Sequence, residues 1–501
     1  MIPPPGLNLM FQKDPVLPSA LQRLPDAGSH AVFVLSLLIE KKKGLTGPSY
    51  HLRMADLLQG VPKTEEEWTE WLREGLKGVP WTGKSLDSAR KKADLWIQDG
   101  RWVGAWTEGT LPPSHGLGCC PRIVFGKGTM EPDRFWAVCF NSRKPRIASP
   151  RAEWLRILRT MLPVVGSMGM GLAGSLGTIT YDLVTAGAER EGSELLLVLD
   201  SSLDDIAKSS HSAVFDAESF PRLILSCLPE AGICPKSVRM VCRDRLLAFL
   251  SDLHCILELR SGGCLLKTIE AQQREAPRFQ WIYRPEESNK GNAGNLKLLG
   301  EASSLTISFS SEDPAIPSET LAPEGVLGCR LEQLNTRAIR WDEYLFHYTR
   351  SCPGPWPNQS YREYLLSLLD NDPLAERTAL AVLFRILVEG RIRASSKVVR
   401  GDQPVVSWTS RPPQELGAIR RWNPALIRWT FEPYGIAVKR DILRRLGARP
   451  AIYAASAVYE KLRREDRFRF QLHHPSRSSW KNEQEWRMPH DLDLTHVPRE
   501  E

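Results

Sequence analysis

Between about residues 120 and 312, short apolar runs alternate with amphipathic segments. The apolar runs have strand length and are Phe135–Phe140, Leu195–Leu199, Leu253–Leu259, Phe279–Tyr283 and Ser304–Phe309. The segments with helical periodicity are Pro150–Leu162, Thr178–Glu191, Asp244–Ser251, Cys264–Arg274 and Asn292–Glu301. Strands that alternate with helices build a mainly parallel sheet with helices on both faces. The pattern therefore predicts an α/β domain over residues 120–312.

The region before this domain has a different pattern. Apolar positions in residues 31–104 recur at helical spacing, which predicts a mainly helical N-terminal domain within residues 1–110. The stretch Pro112–Pro121 is rich in proline and glycine and marks the boundary.

A third domain is predicted after a linker rich in Ser, Glu, Pro and Gly at residues 311–335. Its strand-like runs are Val405–Trp408, Ile436–Val438 and Ile452–Ala455. We interpret residues 336–501 as a mixed α/β domain.

The composition narrows the class of protein. The chain has 501 residues, of which 42% are hydrophobic and 25% charged, as in globular proteins. No apolar run reaches membrane-spanning length and the N-terminus lacks a signal-peptide pattern, so we expect a cytoplasmic protein with no membrane partner. The 10 cysteines form no Cys-x-x-Cys pair, so we expect neither a zinc site nor a disulfide framework. The net charge of +7 permits an anionic partner without requiring one.

Three segments of the central domain suit a ligand crevice. In a Rossmann-like sheet, ligands bind beyond the carboxyl ends of the strands, where helix N-termini can hold phosphate. Phe140–Pro145 follows a predicted strand and offers the Ser142 hydroxyl with the cations Arg143 and Lys144. Gly166–Gly174 would bring its backbone close to a ligand. In Leu259–Thr268, Ser261 and Gly262 would open a helix, with Lys267 one turn in.

Taken in order, these segments resemble the DNA-processing protein A (Smf) family. The matching motifs are Asn141-Ser142-Arg143-Lys144, Gly166–Gly171, Arg243-Asp244-Arg245 before Leu250-Ser251-Asp252, Ser261-Gly262 with Thr268, and Gly294-Asn295-Leu296 before Gly300-Glu301-Ala302. The family binds single-stranded DNA, so the resemblance implies phosphate contacts. The predicted DNA- or nucleotide-binding residues are Ser142, Arg143, Lys144, Gly166, Ser167, Gly169, Gly171, Arg243, Arg245, Ser261, Gly262, Lys267 and Asn295.

The chain departs from the family pattern at three places. Ala173 and Gly177 stand where the family loop has Asp and His, and Asn141 stands where it has Gly. We therefore expect the fold to be retained and leave the ligand open between single-stranded DNA and a free nucleotide. The alternative for Arg243 and Arg245 is a structural role in capping or salt-bridging a helix. A homo-oligomer also stays open.

The C-terminal region contains three polar clusters, at Phe346–Arg350, Val405–Ser410 and Trp480–Arg487. This layout resembles abortive-infection (phage-resistance) proteins. The motifs that carry the resemblance are Pro433-Tyr434-Gly435-Ile436, Gly447–Tyr453 and Glu483-Gln484-Glu485-Trp486-Arg487.

The same region is similar, more loosely, to ADP-ribosyltransferases. These enzymes combine an early His or Arg with a hydroxyl motif and a late Glu-x-Glu. The resemblance implies that His347 holds the ribose of NAD, that Ser407 or Thr409 supports its nicotinamide half, and that Glu485 of the pair Glu483/Glu485 stabilises the oxocarbenium-like charge. The alternative is a histidine buried in a core beside a surface Glu/Arg pair.

Three functional hypotheses follow. The first is a DNA- or nucleotide-binding protein, a sensor in prokaryotic antiviral defence with a C-terminal effector domain. The second is an NAD-dependent ADP-ribosyltransferase that the central domain regulates, and the third is a single-stranded-DNA-binding recombination mediator. In addition, arginines interleaved with Trp408, Trp422 and Trp429 suit a nucleic-acid-binding face.

Overall fold

The structure is a computed structural model. It describes residues 82–106, 123–205, 223–227, 236–309 and 339–497, together with Trp71, Val214 and part of residues 14–34; gaps within these ranges fall at 132, 143, 145–147, 302–304, 353, 358, 373–374, 397–398, 402, 424–427 and 474–479. Two compact units divide the chain: Met1–Glu312 with Pro357–Pro373, and Asp313–Trp356 with Leu374–Glu501. Arg143, the predicted linker and most of the predicted N-terminal helices lie outside the described residues.

The first unit is built on a large sheet. Its described strands are β1 (Leu21–Arg23), β2 (Arg101–Trp106), β3 (Ile123–Gly128), β4 (Trp136–Phe140), β5 (Gly171–Gly174), β6 (Leu195–Leu199), β7 (Leu223–Ser226), β8 (Leu253–Ile256), β9 (Phe279–Tyr283) and β10 (Thr306–Phe309). The spatial order is β1-β2-β3-β7-β6-β5-β4-β8-β9-β10. The strands from β7 to β10 in this order run parallel, and β1 to β3 extend one edge in antiparallel pairing. The prediction of a mainly parallel α/β sheet is confirmed.

The helices described in the first unit are α1 (Gly83–Gln98), α2 (Glu153–Ser167), α3 (Ile179–Arg190), α4 (Lys236–Leu250), α5 (Cys264–Glu275), α6 (Ala293–Gly300) and α7 (Tyr361–Leu369). Helices α2 to α6 lie between successive parallel strands. Hydroxyl N-caps begin α1, α3 and α7, where Thr82, Thr178 and Ser360 accept backbone N–H bonds. Helix α7 comes from the region predicted as the third domain, yet its Tyr361 hydroxyl donates to Asp182 of α3 at 2.8 Å.

Two segments differ from the pattern-based expectation. Arg101–Trp106, included in the helical region, is a strand that pairs with β3. Gly171–Gly174, expected in a loop, is a fully buried strand. The physical reason is packing, because a Cβ at Gly171 would lie 2.4 Å from the Trp136 ring. Glycine is required there so that Trp136 can lie across the neighbouring strand.

The second unit is mixed α/β. Its strands are β11 (Tyr344–Tyr348), β12 (Arg391–Ile392), β13 (Val406–Thr409), β14 (Trp422–Asn423), β15 (Arg428–Trp429), β16 (Gly435–Lys439), β17 (Arg449–Pro450), β18 (Ile452–Ala454), β19 (Phe470–Leu472), β20 (Glu485–Met488) and β21 (Leu492–Asp493). Its α-helices are α8 (Ala379–Glu389), α9 (Leu416–Ile419), α10 (Arg440–Arg445) and α11 (Ser456–Tyr459). The main sheet has the order β16-β11-β13-β20-β17 with antiparallel pairing.

The two faces of this second sheet have different chemistry, because side chains alternate along each strand. One face carries Leu345, Val406, Trp408 and Met488 into an apolar core. The register pairs Ser407 with Arg487 and Thr409 with Glu485, which places these four polar residues on the other face. No helix among the described residues is long and apolar enough to cross a membrane.

Candidate functional site

The first sheet has a topological switch point between β4 and β8. From β4 the chain adds strands outward to β7 on one side, and it then crosses over to add β8, β9 and β10 on the other. Ligands of doubly wound sheets bind beyond the carboxyl ends of the strands at such a point. The predicted segments Phe140–Pro145 and Leu259–Thr268 follow β4 and β8 and therefore lie at this edge.

Hydrogen bonds join the two segments at the switch point. The backbone N–H of Ser142 donates to the Glu258 carbonyl at 2.8 Å. The Ser142 hydroxyl accepts from the backbone N–H of Arg260 at 2.9 Å. Ser142 is thus fixed in place as the connection between the two loops, next to the start of α5.

The cations of the first segment are less available than their sequence position indicates. Lys144 forms an ion pair with Glu258, and both side chains are mostly buried. The Glu258 carboxylate neutralises the charge of Lys144. Its neighbour Arg143 lies outside the described residues.

The segment after β8 presents an open helix start. Ser261 and Gly262 are exposed, and Gly262 has a φ of +75°, a conformation that favours glycine. Helix α5 begins after Gly263 without a hydrogen bond from a capping side chain. Lys267 is exposed one turn into this helix. The edge therefore combines backbone donors, a hydroxyl and one solvent-facing ammonium group.

The predicted glycine-rich loop is not part of this edge. Gly166 and Ser167 belong to the last turn of α2, and Gly169 lies in the turn that follows, with a φ of +71°. Gly171 starts β5. These residues lie at the amino end of β5, whereas Ser142 follows the carboxyl end of the parallel strand β4. The structure does not bring the two predicted groups together.

The two arginines of the predicted third motif are buried within α4. Arg243 is 2% exposed; its Nη2 donates to Asp244 Oδ1 at 2.8 Å, and its guanidinium lies 4.9 Å from the Tyr181 ring centroid. Burial disfavours the charge of Arg243, but Asp244 outweighs that effect and the pKa is raised. Arg245 is 6% exposed. Both positions suit the structural alternative given for them above.

Asn295 is buried in the first unit with its amide fully engaged. Its Oδ1 accepts from the backbone N–H of Leu259 at 2.8 Å, and its Nδ2 donates to the carbonyls of Leu257 and Tyr283 at the same distance. The side chain therefore joins the ends of β8 and β9 to α6. It shapes the edge from beneath rather than facing a ligand.

In the second unit, hydrogen bonds organise the polar face around Glu485. The Ser407 hydroxyl donates to Glu485 Oε1 at 2.9 Å. Arg487 donates to both carboxylate oxygens, from Nε at 2.9 Å and from Nη2 at 3.1 Å. The same guanidinium donates to the Phe470 carbonyl at 2.6 Å, which fixes it in a buried position. Glu485 is thus held as a carboxylate in one orientation.

Glu483 lies next to this carboxylate in surroundings that disfavour its own charge. Burial, and then the charge of Glu485, raise the pKa of Glu483 to about 7, although Arg350, Arg421 and Arg487 act in the opposite direction. The Thr409 hydroxyl donates to the Glu483 backbone carbonyl. A carboxyl group that can exchange a proton near neutral pH, placed next to a second carboxyl group, is a typical arrangement for acid–base chemistry.

His347 lies on the opposite face from these groups. It pairs with Ile436 of β16, and its ring lies 5.6 Å from that of Trp408, which belongs to the apolar core. Its Nδ1 bonds the Ser407 carbonyl at 2.9 Å, and burial lowers its pKa to about 4. The structure therefore brings together Ser407, Thr409, Glu483 and Glu485 but not His347.

Arg350 is the residue that the sequence interpretation missed. Its charge interacts with Glu483 and with Glu485. The sequence signal was present, because the transferase pattern allows an early Arg in place of His and Arg350 follows His347 by three residues. The backbone alternation that separates the two became visible only in the structure.

Two solved structures of DNA processing protein A are among those similar to this chain. No family model matches the chain, and none of the curated proteins matches it. DNA processing protein A from Streptococcus pneumoniae is 14% identical, with 57% of this chain and 95% of that chain covered and a TM-score of 0.38. DNA processing protein A from Helicobacter pylori, solved to study its single-stranded DNA binding mode, is 17% identical, with 38% and 82% covered and a TM-score of 0.31. Both belong to the family that the motifs resemble, and at these low scores neither identifies a ligand of this chain.

Proposed function

We propose that the first unit binds a nucleotide phosphate at the carboxyl edge between β4 and β8. The observation that carries this proposal is the switch point itself. Ser142 is bonded there to the loop that opens α5, and α5 starts without a side-chain cap. Backbone N–H groups and the positive end of a helix dipole favour an anion at such a place.

The charges of the edge favour a small ligand over a long polyanion. Lys144 is neutralised by Glu258, and Arg243 and Arg245 are buried. Lys267 and Arg260 are exposed. We therefore place a free nucleotide first and single-stranded DNA, as bound by a recombination mediator, second.

A binding experiment separates the two ligands. A labelled unpaired oligonucleotide is titrated with the protein at several salt concentrations, and NAD and other free nucleotides are titrated by calorimetry. Lys267→Glu should weaken binding of the correct ligand about tenfold, because it inverts the charge beside the phosphate. Lys91→Glu, on the exposed side of α1, is the matched control. Unchanged affinity in Lys267→Glu would contradict this site.

The second unit favours a second candidate function, transfer of the ADP-ribosyl group of NAD. The supporting observation is that Ser407, Arg487 and Glu485 are hydrogen-bonded on one face beside a Glu483 of raised pKa. In this proposal the nicotinamide–ribose bond breaks, nicotinamide leaves, and an acceptor oxygen or nitrogen bonds to the ribose carbon. Glu485 stabilises the positive charge of the ribose, and Glu483 takes the proton that the acceptor loses.

Release of nicotinamide from NAD tests the second candidate. Glu485→Gln keeps the shape and removes the charge, so it should lower the rate at least about 100-fold. Glu465→Gln, at an exposed position of the same unit, is the control. Equal rates in wild type and Glu485→Gln would exclude the role given to Glu485.

The two proposals combine in a sensor and an effector, the arrangement proposed for antiviral defence. The first unit would bind the signal nucleotide, and the second would respond with NAD chemistry. The expected result is that a nucleotide bound by the first unit changes nicotinamide release, and that Lys267→Glu abolishes the change. If no nucleotide bound by the first unit changed the rate of nicotinamide release, the two units would act independently and the sensor–effector proposal would fail.

A further inference from the structure

A short hairpin of the second unit exposes two tryptophans. Strands β14 and β15 pair antiparallel with Trp422 opposite Trp429. The side chains are 50% and 37% exposed, which is high for the largest apolar side chain. We refer to strands β14 and β15, together with Arg420, Arg421 and Thr430, as the tryptophan hairpin.

The rings and one arginine form a defined aromatic surface. The two indoles meet edge to face, with centroids 5.6 Å apart and an interplanar angle of 76°. The guanidinium of Arg420 lies 4.3 Å from the Trp429 centroid. Such a cation–π stack holds the ring in place and puts a positive charge at its face.

The base of the hairpin is anchored, so the rings are presented from a fixed support. The backbone N–H of Thr430 donates to the Arg421 carbonyl at 2.9 Å, and the Thr430 hydroxyl accepts from the Arg421 N–H at 3.0 Å. Ile419, on the preceding helix α9, belongs to a small apolar cluster that also contacts Phe431. The two exposed indoles therefore lie on a hydrogen-bonded and packed support.

The charge of this segment indicates the class of partner. Arg420 and Arg421 are exposed directly before Trp422, and the sequence of residues 417–430 contains no carboxylate. The exposed surface thus combines flat aromatic rings with cations. Unpaired nucleobases stack on aromatic rings while their phosphates pair with arginines, whereas an apolar protein partner would gain nothing from these two cations.

We infer that the tryptophan hairpin binds the unpaired bases of a single-stranded nucleic acid. Arg421 interacts electrostatically with Glu483, so a strand on the hairpin would lie beside the polar face around Glu485. This surface belongs to the second unit. The inference therefore does not depend on the phosphate site at the switch point of the first.

The test measures binding of unpaired DNA and RNA oligonucleotides to the full chain. Binding is detected by quenching of tryptophan fluorescence and by the anisotropy of a labelled strand. Trp422→Ala and Trp429→Ala should each weaken binding about tenfold, and Trp429→Phe should lose less because it keeps a ring. Leu472→Ala, another exposed apolar side chain of the unit, is the matched control. A fully paired duplex should bind more weakly, since its bases are already stacked.

Other outcomes overturn the inference and remain distinguishable from failure of the phosphate site. Binding that Lys267→Glu abolishes and the tryptophan variants leave unchanged would assign the strand to the first unit alone. Absence of oligonucleotide binding, with self-association that Trp422→Ala abolishes in sedimentation, would make the hairpin a contact between copies of the chain. In that case free-nucleotide titration still tests the first unit independently.

Discussion

The carboxyl edge of the first sheet and the polar face of the second both carry residues singled out by motif, but they use them differently. At the first edge, Lys144 forms an ion pair with Glu258, and the Asn295 side chain is hydrogen-bonded to backbone groups. On the second face, Ser407 and Arg487 hold the Glu485 carboxylate in one orientation, and its charge acts on the neighbouring Glu483. The difference teaches that a motif fixes where a residue lies along the chain, while its hydrogen-bond partners decide whether it supports the backbone or orients another side chain.

The largest effect is expected at Arg487. Its side chain is 3% exposed and its partner Glu485 is 14% exposed. Arg487→Met would leave a mostly buried carboxylate without its cation, which should cost about 3–5 kcal/mol in the free energy of unfolding. Arg350→Met, at an exposed position, should cost less than about 1 kcal/mol. Chemical denaturation of both variants checks this, and equal stabilities would mean that Arg487 does not fix the carboxylate.

Asn295 tests whether the first edge is supported from beneath. Asn295→Ala removes three buried hydrogen bonds to backbone groups, and we expect a loss of about 3 kcal/mol. Asn295→Asp keeps the acceptor for Leu259 but loses both donors, so it should not restore stability. A variant with wild-type stability and lowered nucleotide affinity would instead place Asn295 against the ligand.

His347 and Arg350 should separate stability from chemistry. His347→Phe leaves the Ser407 carbonyl without its partner and should destabilise the protein by about 1–3 kcal/mol, with little change in nicotinamide release. Arg350→Ala should do the reverse and weaken NAD binding about tenfold through loss of a charged contact. Thermal unfolding and NAD titration of both variants measure the two effects. If His347→Phe weakened NAD binding while Arg350→Ala lowered only the stability, the NAD-binding role predicted for His347 from the sequence would hold.

The smallest effect is a pH dependence. Because the folded pKa of Glu483 is about 7 against an ordinary 4.5, its contribution to stability is fully present below pH 4.5 and is lost as the pH rises through 7. The stability of wild type relative to Glu483→Gln should therefore fall by on the order of 1–2 kcal/mol between pH 5 and pH 8. Asp252, whose pKa is about 6, also titrates in this range. It is present in both proteins, so its contribution to the difference in stability cancels. A constant difference would mean that Glu483 is already charged at pH 5.

Much of the first unit followed from the sequence alone. The strands Leu195–Leu199 and Phe279–Tyr283 have the predicted bounds, because a continuous apolar run of five residues suits a strand buried on both faces. The positions of Ser142 and Ser261 after parallel strands were equally predictable. For the second unit the sequence identified the hydroxyl and carboxyl motifs that meet on one face.

Only the tertiary structure decided how those residues are used. Gly171 is in a strand because Trp136 occupies the space above it, and no local pattern records that contact. His347 and Ser407 lie on adjacent strands, yet the pairing of Phe346 with Thr409 turns their side chains to opposite faces. A shift of one residue in register would reverse that result. Register, burial and ion pairing depend on segments far apart in the chain, so local sequence could locate the polar groups but could not assign their partners.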